Sequence, residues 1–213
     1  KILIEMSHDF LEYFKNFSKI NNIYLLLGSI PITENDKLFN RSILINPDGD
    51  IISIYDKIHM FDITLKNGES YKESDFYSPG SELKITKVLG HSVGHTICYD
   101  LRYPKLYRAL AKKGSQIIVV PSAFTHTTGK AHWHSLIKAR AIENGVFILA
   151  PNQWGVNNEK RVTYGHTLIV DPWGETLAEA EDGEMIIAAE LDLNRVRECQ
   201  NAIPVLDNDR NFD

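Results

Sequence analysis

The chain has 213 residues, 43% hydrophobic and 24% charged, a balance ordinary for a globular domain with one sizeable core. Its 23 Lys and Arg against 28 Asp and Glu give a formal net charge of −5, which argues against a nucleic-acid binder, since that needs a basic patch. No apolar run reaches the ~18–20 residues of a membrane-spanning helix, no signal-peptide pattern opens the chain, and two cysteines, Cys98 and Cys199, are too few for a disulfide scaffold or a cysteine-rich zinc site. The expectation is a single domain over residues 1–213 in a reducing cytoplasm, with no nucleic-acid or membrane partner.

Lys1-Ile2-Leu3-Ile4 is apolar, lacks an initiator Met and reads as mid-element, so a further N-terminal stretch is expected before it. Phe10, Phe14 and Phe17 recur at helical spacing and predict a helix from about Ser7 to Lys19. The continuous apolar run from Ile23 to Leu27 reads as a buried strand. Ser42 to Asn46 and Ile51 to Tyr55 flank Pro47-Asp48-Gly49, a turn signal that makes them a hairpin. Lys66 to Gly80 is polar and reads as a functional loop.

From Ser92 onward the pattern alternates. A strand to Cys98 precedes a helix from Pro104 to Lys113, with Pro in its first turn and Gly114 as its stop. Gln116 to Val120 is a strand, Lys130 to Asn144 a helix stopped by Gly145, and Val146 to Ala150 another strand. This β-α-β-α-β order predicts an α/β fold with sheets covered by helices. Thr167 to Asp171 and Met185 to Leu191 read as two more strands on either side of the Pro172-Trp173-Gly174 turn.

Gly90-His91-Ser92-Val93-Gly94 matches the G-x-S-x-G elbow of serine hydrolases, but it lies between two extended segments and reads as a small-residue hairpin turn. Cys98 is a better elbow candidate. It ends a strand and faces the start of a helix, where local positive potential favours a thiolate. It could equally be a small buried hydrophobe. His126, His132, His134 and His166 leave a Cys-His pair open, although His132 and His134 are two apart on a helix and point to different faces. That spacing also disfavours a metal pair. Lys57, where the chain turns from polar to apolar, is either a surface lysine or a buried cation able to hold a thiolate and an oxyanion.

Several segments together resemble the nitrilase (carbon–nitrogen hydrolase) superfamily. They are Tyr55-Asp56-Lys57-Ile58-His59-Met60-Phe61-Asp62, Ile97-Cys98-Tyr99-Asp100-Leu101-Arg102-Tyr103-Pro104, Pro121 to Phe124 with Thr128 to Trp133, Lys138 to Asn144, Tyr164-Gly165-His166 and Asp171-Pro172-Trp173-Gly174. Glu159-Lys160-Arg161 inclines the resemblance to the deaminated-glutathione amidase and ω-amidase branch. The resemblance implies a four-layer α-β-β-α sandwich and a Glu-Lys-Cys triad with no metal or organic cofactor. It casts Cys98 as nucleophile and Lys57 with the Tyr99 backbone N–H as the oxyanion's donors. Glu73 resembles a second glutamate that positions the lysine or the amide. Phe124 falls in the segment that resembles the substrate wall; Arg102 is the best local cation for a substrate carboxylate, or else a structural partner of Asp100 or Asp62, and Thr127 and Thr128 offer further donors.

The expected substrate is a small carboxylate-bearing amide, and the expected assembly a homodimer or higher homo-oligomer to which Asn201 to Leu206 could contribute. The Pro-Glu segment that holds the superfamily's general-base glutamate does not occur in these 213 residues, and Glu5 is the one early candidate upstream of the first helix. The sandwich's first strand and helix are therefore expected to lie before Lys1. The alternative is a non-catalytic member acting as a binding or scaffold subunit.

Overall fold

A computed structural model describes residues 8–66, 68–158 and 161–210. The chain divides after Thr86 into two compact units.

The first unit opens with α1 (His8–Asn21). An antiparallel meander follows, β1 (Leu25–Glu34), β2 (Lys37–Ile45) and β3 (Ile51–Asp56), in that spatial order. The predicted strand from Ile23 is thus longer than its apolar run. It crosses an irregularity between Leu27 and Ile30, then turns back through Asn35 and Asp36, both with positive φ. Asn and Asp tolerate that conformation, which suits a two-residue hairpin. The predicted hairpin at Pro47-Asp48-Gly49 is present, with Asn46 Oδ1 accepting from the backbone N–H of Asp48 and Asp50. The segment read as a loop from Lys66 to Gly80 contains β5 (Ser70–Lys72), which pairs with β4 (Asp62–Thr64), and a 3-10 turn at Glu73–Asp75. Each is shorter than the window over which periodicity can be read.

Across the boundary lies β6 (Ile85–Val88), joined by the positive-φ pair Leu89 and Gly90 to β7 (His91–His95). The second unit continues with a 3-10 turn at Cys98–Arg102, α2 (Pro104–Lys112), β8 (Ile117–Val119), α3 (His126–Asn144) and β9 (Phe147–Ala150). It ends with β10 (Trp154–Asn158), β11 (Arg161–Tyr164), β12 (Leu168–Val170), β13 (Thr176–Glu179) and α4 (Asn194–Ala202). The six-stranded sheet runs β13-β12-β9-β8-β7-β6. Its β7, β8 and β9 are parallel, while β12 is antiparallel to both neighbours. The β-α-β-α-β expectation therefore holds, with α2 and α3 as the two crossovers.

Two sequence expectations fail here. Met185 to Leu191 forms no strand: it pairs with neither outer strand of the sheet, β13 or β6, and Ile186 is 97% exposed. Helix α3 begins at His126, not Lys130, because Thr125 caps it, its hydroxyl accepting from the Thr128 N–H.

Core packing follows the α3 register. Gly129, Trp133, Ile137, Ala141 and Asn144 recur at three- and four-residue spacing and are all buried. At Gly129 the helix comes so close to β11 that an added Cβ would fall inside contact distance of the Tyr164 Cβ and Cγ. The Tyr164 Cβ is fixed by the β11 backbone and cannot swing away. Gly129→Ala gains helix propensity of about 1 kcal/mol but should lose more than that to overpacking, which costs about 1–3 kcal/mol or more. A lower urea midpoint at unchanged slope would register the loss.

Candidate active site

In the first unit, Lys57 follows β3 and is 2% exposed. Its backbone is fixed on both sides, the N–H donating to the Asn40 carbonyl (2.9 Å) and the carbonyl accepting from Gly80 (2.8 Å). Its ammonium forms an ion pair with the Glu73 carboxylate. That carboxylate is held by two more donors, the Phe61 N–H at 2.6 Å and Asn40 Nδ2 at 3.1 Å, and Asn40 is itself oriented by the Ser29 hydroxyl (2.6 Å). A carboxylate bound three ways presents the lysine in one pose. The structure thus brings together Lys57 and Glu73, which are 16 residues apart. The supporting role of Asn40 left no signal in the sequence, because a strand asparagine 33 residues upstream of Glu73 matches no motif.

In the second unit, Cys98 opens the 3-10 turn after β7 with φ +49°. A left-handed backbone at a non-glycine residue costs about 1–3 kcal/mol and persists where the surroundings over-determine it. They do so here. The Cys98 N–H donates to the Pro121 carbonyl (3.0 Å), and the fully buried Asp100 carboxylate accepts from the Ile97 N–H (2.9 Å). Below the turn, the buried Arg140 guanidinium donates to the Leu101 carbonyl (2.9 Å) and lies over the Tyr107 ring. The Tyr107 hydroxyl in turn meets Thr96 Oγ1 (2.8 Å), and its complete burial pushes its pKa well above the usual phenol range. Strand, strained cysteine and helix follow one another in the order of a nucleophile elbow, and Cys98 is half-buried.

Ser92 has no such setting. It lies inside β7, buried, with its hydroxyl accepting from Lys87 Nζ (2.9 Å).

Arg102 closes the turn beside the Tyr99 and Phe124 rings, 5.9 and 5.5 Å from their centroids. Burial lowers its pKa from the ordinary value, opposed by Tyr99, Cys98 and Tyr103. The electrostatic neighbours of the guanidinium are Tyr99, Cys98 and Tyr103. Both terminal nitrogens lie 3.3 Å from His132 Nδ1. Phe124 is buried against Trp133, Thr127 is exposed on the first turn of α3, and the buried Thr128 hydroxyl meets Thr125 Oγ1 at 2.9 Å. Of the other candidate histidines, His134 and His166 share the Glu179 carboxylate, and the His126 ring lies against Tyr164. Glu5, Glu159 and Lys160 lie outside the described residues.

The family model described as carbon-nitrogen hydrolase matches residues 3–201. A deaminated glutathione amidase of Dictyostelium discoideum is 39% identical over 201 residues, covering 92% of this chain and 69% of the relative. The omega-amidase NIT2 of Xenopus tropicalis is 38% identical over 194 residues, covering 91% and 70%. Among solved structures, Saccharomyces cerevisiae Nit3, a member of branch 10 of the nitrilase superfamily, superposes with a TM-score of 0.82 at 34% identity, over 92% of this chain and 69% of that one. The expected nitrilase-type α/β fold class stands, and the chain belongs to the carbon–nitrogen hydrolase family.

Proposed function

We propose that the chain is a thiol amidohydrolase acting on the terminal amide of a small carboxylate-bearing substrate, of the deaminated-glutathione or ω-amide type. The observation that carries the reading is the strained Cys98 at the start of a turn that the half-buried Arg102 guanidinium closes. Relatives named as deaminated glutathione amidase and omega-amidase, 38–39% identical, support the substrate class. No observation favours the non-catalytic alternative.

In this mechanism the Cys98 thiolate adds to the amide carbon, and the Lys57 ammonium with the Tyr99 N–H holds the oxyanion. On collapse the amide nitrogen takes up the proton that the Cys98 thiol gave up on ionising and leaves as ammonia, and a thioester remains. Water then adds to the thioester and releases the acid and the thiol. Dividing amide hydrolysis at a covalent intermediate replaces one difficult step by two easier ones. Glu73 is assigned to hold Lys57, and Arg102 to bind the substrate carboxylate as a fork. Phe124 forms part of the substrate wall, and Thr127 and Thr128 contribute donors. We further propose that residues 1–213 belong to one catalytic domain, working in the cytoplasm as a homodimer or higher homo-oligomer.

The test is ammonia release from α-ketoglutaramate, succinamate and deaminated glutathione, each beside an analogue lacking the carboxylate. The carboxylate-bearing amides should be preferred. Arg102→Gln should raise KM for them by about tenfold or more, the scale of one charge-assisted contact, while kcat changes little. Equal turnover of both series, or an unchanged KM in the variant, would contradict the substrate class.

A further inference from the structure

Away from the residues assigned to chemistry, three elements converge on one point. His134 of α3, His166 of the β11–β12 connection and Glu179 at the end of β13 hold their ligating atoms within 4.8 Å of one another. His134 Nε2 lies 2.8 Å and His166 Nδ1 3.0 Å from the same oxygen, Glu179 Oε1. We infer that this cluster is a binding site for a zinc-class divalent cation that ties α3 to β13, with water completing its coordination.

The chemistry of the donors is the first argument. Two imidazoles and a carboxylate form a set that suits zinc, cobalt or nickel, and three protein ligands leave a position for water. An ion taking the place of the two N–H···O bonds needs only small adjustments of side chains already gathered around one oxygen.

The second argument is the setting of His166. Its φ is +57°, a conformation that carries a cost at a non-glycine residue, and a half-exposed ion pair returns little for it. The conformation is nonetheless fixed. Trp133 Nε1 donates to the His166 carbonyl (2.7 Å), and the Tyr164 ring lies 4.5 Å from the His166 ring. Once Nδ1 bonds a metal, the ring's proton must sit on Nε2, and the Asp182 carboxylate is 3.9 Å from that nitrogen. Asp182 is itself anchored by Trp154 Nε1 (3.1 Å). A histidine with a carboxylate behind it is the usual outer support of a metal ligand.

The third is room and charge. A cavity of about 250 Å³ opens beside His166, lined in part by Thr167, Glu181 and Glu184. A second cavity that also borders His166 includes Lys130 and Asp182. The acidic lining of the first favours a cation and leaves space for water.

The test uses the full chain carrying Cys98→Ala, so that the thiol does not compete for metal. Titration with Co²⁺ should give visible d–d absorption that saturates at one equivalent and is displaced by Zn²⁺. Glu179→Gln and His166→Gln, each in that background, should weaken binding by at least the roughly 10–100-fold that follows even the loss of an outer support. Zn²⁺ should raise the melting temperature of the parent and not of these variants. Glu179 is exposed and the Gln change nearly isosteric, so that variant should fold even if His166→Gln does not. No cobalt spectrum, or one that both substitutions leave unchanged, would overturn the site and reduce the cluster to a hydrogen-bonded ion pair. Neither result bears on amide turnover, which is measured separately.

Discussion

Cys98→Ala should abolish amide turnover, by at least about ten-thousandfold, while leaving the fold in place. Loss of a covalent nucleophile is felt on that scale because no neighbour can form the bond in its stead. The substitution is unusually clean here. Alanine and cysteine carry the same penalty at φ +49°, and the backbone bond to the Pro121 carbonyl does not depend on the side chain. The melting temperature should therefore stay close to that of the parent while ammonia release disappears. Retained turnover would remove Cys98 from the mechanism.

Lys57→Ala should lower kcat by at least about a hundredfold, since an oxyanion left without its cation in a dry site loses stabilisation of about 3–4 kcal/mol. Stability should fall as well. The Lys57 side chain is 3% exposed and that of Glu73 13%, and breaking a buried pair costs about 3–5 kcal/mol by leaving one charge behind. Asn40 and the Phe61 N–H still bind the Glu73 carboxylate, which places the loss toward the lower figure. Activity must accordingly be expressed per folded molecule, well below the melting temperature. Lys57→Arg should not rescue kcat, because a guanidinium differs from a compact ammonium in size and donor geometry. A folded Lys57→Ala with near-normal kcat would return Lys57 to the role of a structural cation.

What could be read from the amino-acid sequence was local. Pro104 and Gly114 bracket α2, Gly145 ends α3 in a left-handed cap, and Pro47-Asp48-Gly49 turns β2 into β3, each through a residue whose backbone preference decides the matter. Cys98 was legible as a strand-to-helix junction, but its strain was not, since φ depends on the bonds of Ile97 and Cys98 to Asp100 and Pro121. The start of α3 was hidden because His126-Thr127-Thr128-Gly129 contains weak helix formers, and the cap at Thr125 outweighs them. Met185 to Leu191 shows the opposite error: an apolar run becomes a strand only where it pairs, and this one joins neither β13 nor β6. The pairings that matter most span long separations, 33 residues from Asn40 to Glu73 and 45 from His134 to Glu179, and no periodicity reports them.

The thioester itself is the most direct test. The parent chain, mixed with a carboxylate-bearing amide and quenched in acid during turnover, should gain the mass of the acyl group, and proteolysis should place that mass on the peptide containing Cys98. Hydroxylamine added before the quench should divert the acyl group to a hydroxamate. Ammonia release at full rate with no acyl adduct, or an adduct on a peptide that lacks Cys98, would contradict covalent catalysis at this cysteine.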